Sequence, residues 1–293
     1  MSANTKIQWC DHTHNPWRGC RKVAPECANC YITRTVPFRT RGQKHGSERV
    51  RAGAATLREP LTWNTKPVIC DFCGKSFPCE QAHVCIPPGH IRAAGQLSWH
   101  RPRVFCLSLG DWLDDEVPTE WLVELLATIH ATPNLDWLLL TKRPGNFKAR
   151  MKAVFERTLD WGAAENFAAN WLAHVIPKNV WIGVSAGADQ AAALAIPARI
   201  HFLSAEPMLH PLDTTHAAHF DWIIFGGESG PGARACDITW IREGVKFCRE
   251  HHIAPFVKQL GANCGQQLRD KKGGDMAEWP EDLRVREFPT CKP

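Results

Sequence analysis

The sequence contains no long apolar segment. No stretch approaches the ~18 consecutive apolar residues that a membrane-spanning helix needs, so we expect no membrane contact. Residues 1–6, MSANTK, lack the apolar core of a signal peptide, which favours a cytoplasmic protein. Strong compositional bias is also missing: 44% hydrophobic and 22% charged residues are typical of a globular chain and exclude disordered and fibrous proteins.

Cysteine is abundant, and charge is unevenly distributed. The chain holds 13 cysteines, and an odd, high count without an export signal favours thiolate metal ligands over a disulfide framework. Residues 1–60 contain 11 Lys and Arg against 4 Asp and Glu, a net charge of +7, whereas the remainder has a net charge of −2. The positive charge of residues 1–60 indicates either a nearby phosphate or nucleic acid, or a solvated basic face.

Short apolar runs alternate with amphipathic stretches along most of the chain. This alternation predicts an α/β fold with a parallel sheet, either a complete or partial (β/α) barrel or an open doubly wound sheet. The predicted strands are Lys6–Cys10, Val104–Leu109, Trp137–Leu140, Val180–Val184, Ile200–Leu203, Trp222–Phe225 and Pro255–Val257. The predicted helices are Pro118–Ala131, Asn146–Trp171 and Asp237–His251.

Four regions are expected along the chain. Residues 1–69 carry the first strand, a cysteine-containing loop and the basic segment Arg34–Leu61, which suits a lid, a substrate-facing arm or a plain loop. A cysteine-rich insertion at 70–95 interrupts the barrel, which continues over 96–269. The charged, proline-punctuated tail 270–293 is expected to be irregular and to wrap the barrel.

Polar or glycine-rich residues follow six successive predicted strands. Because the carboxyl ends of parallel strands share one face, these residues predict a functional site there. They are Gly110-Asp111, Thr141-Lys142-Arg143, Ser185, Ser204-Ala205-Glu206, Gly226-Gly227-Glu228 and Lys258-Gln259.

Three cysteines after the first predicted strand form the most specific motif. Cys20, Cys27 and Cys30 have the spacing C-x6-C-x2-C, with no fourth cysteine close by. A structural zinc site needs four ligands, whereas three thiolates suit an iron–sulfur cluster with one open iron. A zinc site completed by Cys10, His12 or His14 is the alternative.

Over nearly its whole length the chain resembles a phage-associated family of radical S-adenosylmethionine (SAM) enzymes with a three-cysteine motif. The resemblance implies a partial TIM-like (β/α) barrel of the radical SAM type in the cytoplasm of a bacterium or phage-infected host. The segments that carry it are Asn15–Cys20, Ser108–Asp114, Leu140–Pro144, Asn179–Ser185, Phe202–Met208, Asp221–Arg234, Phe256–Gln259 and Lys272–Pro289.

The resemblance also implies cofactors and partners. Cys20, Cys27 and Cys30 would bind a [4Fe–4S] cluster, and SAM would occupy the fourth iron. A flavodoxin-like or ferredoxin-like donor would supply the electron that cleaves SAM to a 5′-deoxyadenosyl radical. The expected substrate is a nucleotide or a nucleic acid base, with phage DNA hypermodification as the leading hypothesis.

Two departures from the commonest radical SAM loop affect the residue assignments. Its first gap is usually three residues, against six here, and an aromatic usually precedes its last cysteine, where this chain has Asn29. Tyr31, the only tyrosine, is then expected to face the adenine. The GGE motif normally follows strand two, whereas here it follows the sixth strand.

The other polar residues at the strand ends receive provisional roles. Gly110-Asp111 is expected to bind the SAM amine, with Ser185 and Ser204 as further contacts. Glu228 is expected to bind the ribose or the substrate. Lys142, Arg143 and Lys258 would pair with the SAM carboxylate or a substrate phosphate, or form structural ion pairs; the predicted catalytic residues are Glu228, Lys142 and Lys258.

A second group of cysteines lies in the insertion. Cys70, Cys73, Cys79 and Cys85 predict a structural zinc site, with His83 as a substitute ligand and a second iron–sulfur cluster as the alternative. The other cysteines, at 10, 106, 236, 248, 264 and 291, are expected to be buried hydrophobic residues.

Two other functions remain compatible with the sequence. One is a zinc-stapled nucleic-acid-binding protein without redox chemistry. The other is a barrel hydrolase that uses Asp111, Glu206 and Glu228 as acid–base groups.

Overall fold

A parallel sheet of seven strands dominates the computed structural model, which describes residues 5–30, 32, 45–66, 68–70, 75–77, 99–157 and 162–290. Its strands are β1 His12–His14, β7 Arg103–Cys106, β8 Asp136–Thr141, β9 Val180–Ser185, β10 Ile200–Ala205, β11 Trp222–Gly226 and β12 Ala254–Gln259. Short antiparallel pairings join β2 Trp17–Arg18 to β3 Val50–Arg51, and β4 Val68–Cys70 to β5 Ser76–Phe77 and β6 Trp99–His100.

The strand order identifies the architecture as a half-barrel. Neighbours run β1-β7-β8-β9-β10-β11-β12, in chain order and all parallel. In a doubly wound sheet the strand order runs outward from a central strand in both directions. The order here follows the chain from one edge to the other, so the doubly wound alternative is wrong. Within the described residues β1 and β12 do not pair, and the sheet stays open between them.

The helices of the described residues cover the outer face of the sheet. They are α1 Ala54–Trp63, α2 Thr119–Ala131, α3 Phe147–Phe155, α4 Ala163–Leu172, α5 Gln190–Leu194 and α6 Ile238–Glu250. The predicted helices at 118–131 and 237–251 are confirmed. The single helix expected over 146–171 is wrong, because Gly162 is extended and α4 begins only after it. None of these helices is long and apolar enough to span a membrane.

The predicted first strand, Lys6–Cys10, is also wrong. The first strand is His12–His14, and the preceding segment covers the inner face of the open half-barrel. Trp9 is 2% exposed, and its ring centroid lies 4.4 Å from that of Phe105 and 6.2 Å from that of Phe202. An open barrel leaves its inner aromatic side chains uncovered. Covering them with the segment before β1 is more favourable than adding that segment to the sheet as a further strand.

The tail is irregular, as expected, and packs along β12. It contains two short 3-10 turns at Met276–Glu278 and Glu281–Leu283. The amide of Val257 donates to the carbonyl of Val285 at 2.8 Å. The ring centroid of Phe288 lies 5.4 Å from that of Trp222, and the guanidinium of Arg103 lies 3.6 Å from the Phe288 ring centroid. The tail therefore helps to cover the open side of the sheet.

Replacing Trp9 by Ala tests this packing. We expect Trp9→Ala to lower the free energy of unfolding by about 3–5 kcal/mol, because it leaves a cavity among the inner aromatic rings. Trp9→Phe, which keeps a ring in the cluster, should lose less. Chemical denaturation followed by circular dichroism measures both. Losses under about 1 kcal/mol for both variants would contradict the packing.

Candidate active site at the carboxyl ends of the strands

The cysteine loop, residues 19–30, lies across the carboxyl-end face of the sheet. Its first residue, Gly19, donates its amide to the carbonyl of Leu109 after β7 at 3.0 Å. Near its last residue, the side-chain Nδ2 of Asn29 donates to Glu228 Oε2 at 3.0 Å and to the carbonyl of Gly232 at 3.1 Å. The loop thus joins the connections after β7 and β11.

Two further contacts hold the middle of the cysteine loop. Arg234 Nη1 donates to the carbonyl of Pro25 at 3.1 Å. The carboxylate of Glu26 lies against Gly187 after β9, where a Cβ would come within 2.1 Å of Glu26 Oε1. A side chain at position 187 would displace the Glu26 carboxylate from this contact.

The residues just before the cysteine loop hold its first residue against the connection after β7. Asn15 Oδ1 accepts a hydrogen bond from the backbone amide of Leu109 at 2.7 Å, and Asn15 Nδ2 donates to Ser108 Oγ at 3.0 Å. Gly110 packs closely on this segment, since a Cβ there would lie 3.3 Å from Trp17 and 3.4 Å from the Gly19 carbonyl. The Asn-Pro-Trp motif therefore anchors the loop, and Gly110 has a packing role.

Cys20, Cys27 and Cys30 are free thiols in this loop. Burial raises the pKa of the Cys20 and Cys30 thiols, while the nearby cations Arg143 and Lys142 respectively oppose the rise. Among the described residues, no three His, Cys, Asp or Glu side chains form a group that could hold a metal ion.

The histidines of β1 do not complete a zinc site on this loop. His12 stacks on Trp63 of α1 at 4.4 Å, and His14 contacts Trp63 and Trp137 on the helix-covered face of the sheet. Cys10 is buried in the inner aromatic cluster. The alternative of a zinc site completed by Cys10, His12 or His14 is therefore not supported.

Asp111 is engaged by protein groups. Its carboxylate accepts hydrogen bonds from the Thr141 hydroxyl at 2.7 Å, the Lys142 amide at 2.9 Å and the Leu113 amide at 3.0 Å. It also pairs with Arg143 Nη1 at 3.1 Å, and both side chains are 6% exposed. These contacts make Asp111 a support for Arg143, so its expected contact with the SAM amine is not supported.

Arg143 contacts the cysteine loop as well as Asp111. Its Nη1 and Nη2 lie 3.7 and 3.6 Å from Cys20 Sγ, and Nη2 donates to the Arg21 carbonyl at 3.2 Å. From the sequence, Arg143 is expected to bind a SAM carboxylate or a substrate phosphate, or to form an ion pair. The structure places it in an ion pair and against a predicted cluster ligand.

Glu228 is likewise an anchor. It is 7% exposed and accepts from Arg234 Nη2 at 2.7 Å, from the Arg234 amide at 2.8 Å and from Asn29. These hydrogen bonds and the Arg234 charge outweigh burial and lower the pKa of Glu228 to about 2. A carboxylate held in this state suits neither the expected ribose or substrate contact nor acid–base catalysis.

Two lysines lie on the same face with different partners. Lys258 Nζ pairs with Glu206 Oε1 at 2.7 Å, whereas Lys142 Nζ donates to the hydroxyl of Ser185 at 2.5 Å. Ser185 and Ser204 are register partners on β9 and β10, and both are buried. Of the cations Lys142, Arg143, Arg234 and Lys258, only Lys142 has no carboxylate partner among the described residues.

Two arginines in the described part of the basic segment are also charge-paired. Arg49 Nε lies 2.8 Å from Asp114 Oδ2, with both side chains almost fully buried, and Arg51 pairs with Glu124. These charges brace the chain around the cysteine loop. Neither suits a substrate-facing arm.

Several predicted ligands lie outside the described residues, namely Tyr31, Cys73, Cys79, His83 and Cys85. Cys70 is buried in β4. The expectation of buried cysteines is confirmed at 10, 106, 236, 248 and 264, while Cys291 is not described. Sequence reasoning missed Asn29 and Arg234 as anchors, because no spacing signal connects them to Glu228.

Comparison with known proteins gives a family. Neither the curated proteins nor the solved structures contain a match to this chain. A family model matches residues 4–281, nearly the entire sequence. The chain belongs to the family described as "Protein of unknown function (DUF5131)".

Proposed function

We propose that this chain is a radical SAM enzyme. The supporting observation is the position of the cysteine loop, which contacts the connections after β7, β8, β9 and β11 on the carboxyl-end face. Parallel α/β folds gather their active sites on this face. The loop carries three free thiols, of which Cys20 lies beside the guanidinium of Arg143, and a set of three thiolate donors fits an iron–sulfur cluster.

Cys20, Cys27 and Cys30 would hold a [4Fe–4S] cluster. Cluster thiolates bind different irons, so they need not converge on one ion as zinc ligands must. When bound with SAM, the cluster supplies the electron that yields a 5′-deoxyadenosyl radical. The chain's own residues bind SAM and substrate and exclude water.

Lys142 binds the SAM carboxylate in this proposal. Its ammonium lies close enough to Cys30 to oppose the rise that burial causes in the pKa of that thiol, and its partner Ser185 is neutral. Its charge is therefore available to an anion, whereas those of Arg143, Arg234 and Lys258 are balanced by carboxylates. Ser185 and Ser204 lie next to it as hydrogen-bonding groups.

The same pairing disfavours a barrel hydrolase. Asp111, Glu206 and Glu228 each form an ion pair with a cation on this face. A general acid at neutral pH needs a raised pKa, whereas the pKa of Glu228 is lowered to about 2. The three carboxylates thus position cations instead of reacting.

A nucleotide or nucleic acid base is the proposed substrate, with phage DNA as the leading case and a flavodoxin-like or ferredoxin-like protein as the electron donor. The resemblance to phage-associated proteins and the net charge of +7 over residues 1–60 support this class. The pairing of Arg49 and Arg51 leaves less of that charge for a phosphate backbone than the sequence suggested.

Removing one proposed ligand tests the enzyme class. Anaerobically reconstituted protein should bind iron and sulfide, absorb near ~400 nm, bleach with dithionite and release 5′-deoxyadenosine from SAM. Cys27→Ala should abolish the release, because one cluster ligand is lost. Cys264→Ala, a buried cysteine away from the loop, should retain it. Unchanged release in Cys27→Ala, or a native chain without iron, would refute the proposal.

Replacing Lys142 tests the SAM contact. Lys142→Gln should retain iron but weaken SAM binding about 10-fold to 100-fold, as expected for the loss of a charge-assisted hydrogen bond of about 1.5–3 kcal/mol. Lys258→Gln should weaken it less than about threefold, since Glu206 already balances that charge. Equilibrium binding of SAM to the loaded protein measures both. Equal effects of the two variants would contradict the assignment.

A further inference from the structure

Arg143 contacts a sulfur of the cysteine loop with both terminal nitrogens. Nη1 and Nη2 lie 3.7 and 3.6 Å from Cys20 Sγ, within the range of hydrogen bonds to sulfur. The guanidinium is nearly buried, so water competes little for these donors. Contacts of this kind act directly on a metal-ligating sulfur.

The guanidinium is also fixed in place. Asp111 pairs with Nη1, and the Arg21 carbonyl accepts from Nη2. The amide of Arg143 donates to Thr141 Oγ1 at 2.8 Å, and that hydroxyl donates to Asp111. Arg143 is thus held from both ends, and its planar fork faces the sulfur without freedom to turn away.

We propose that Arg143 is a positioning residue that raises the reduction potential of the cluster through Cys20. This inference rests on the proposed function. Reduction adds negative charge to the iron–sulfur core and its thiolates, and a cationic donor to a ligating sulfur stabilises the more electron-rich state. Among the described residues of this face, Arg143 is the cation that donates hydrogen bonds to a sulfur, whereas Lys142 acts on Cys30 through its charge alone.

The experiment compares midpoint potentials of anaerobically reconstituted full-length protein without SAM. Redox titration followed by electron paramagnetic resonance is run on the native chain, Arg143→Gln, Arg143→Lys and Arg21→Gln, with iron and sulfide content measured for each. Arg21 is the matched control. It also neighbours Cys20, but it is 46% exposed, pairs with Asp115 and Glu116, and lacks a side-chain contact to the sulfur among the described residues.

We expect Arg143→Gln to lower the equilibrium constant for one-electron reduction about tenfold, which is ~59 mV in midpoint potential. Arg143→Lys keeps the charge but loses the fork, so its potential should fall less. Arg21→Gln should retain the native potential, since its charge is solvent-screened.

Each other outcome has a defined meaning. Equal potentials in iron-loaded native, Arg143→Gln and Arg143→Lys proteins would overturn the role of Arg143 and leave the proposed function intact. An equal fall in Arg21→Gln would overturn it too, because net charge alone would explain the shift. If Arg143→Gln binds no iron, Arg143→Lys decides by the same criterion. A native chain that binds no iron overturns the proposed function and this inference together.

Discussion

The common direction of the seven strands governs the arrangement of this molecule. Because all described strands of the main sheet are parallel and follow each other in chain order, their carboxyl ends share one face. Trp9, Phe202 and Trp222 fill the inner face towards the amino ends. The polar side chains that follow the strands lie at the opposite end, beside the cysteine loop.

Buried ion pairs give that face its rigidity. Removing two charges from water is costly, and a buried pair is stable only where further hydrogen bonds satisfy both groups. Asp111 meets this condition with three donors besides Arg143, and Glu228 meets it with Asn29 and the Arg234 amide. With a pKa of about 2, Glu228 stays ionised at neutral pH, so its hydrogen bond to Asn29 of the cysteine loop is retained at that pH.

Much of the fold could be predicted from the sequence because strands buried on both faces are continuous apolar runs. Six such runs coincide with strands β7 to β12. The first strand could not be found this way. His12–His14 is a polar run in which His12 stacks on Trp63 and His14 meets it edge to face, while the apolar residues before the run pack inside the half-barrel.

The face on which the strand-end side chains meet could be predicted from the sequence, but the contacts that they make there could not. Strand ends mark one face whatever their residues do, and the cysteine loop is local in sequence. Asp111 and Arg143 are 32 positions apart, and Asn29 and Glu228 are 199 apart, so no spacing rule indicates that they meet. Three carboxylates that looked reactive in sequence are bound to cations in the fold.

The unusual length of the first cysteine gap is accounted for by the same anchors. Six residues separate Cys20 from Cys27, and a longer loop has more conformations to lose when its thiols are fixed. Two of the six residues make contacts that offset this cost: Pro25 begins a 3-10 turn and accepts from Arg234, and Glu26 packs on Gly187. Asn29 adds the bond to Glu228 at the position where the commonest radical SAM loop carries an aromatic. The residues that depart from the common pattern thus add to the contacts by which Gly19 and Arg21 attach this loop to the barrel.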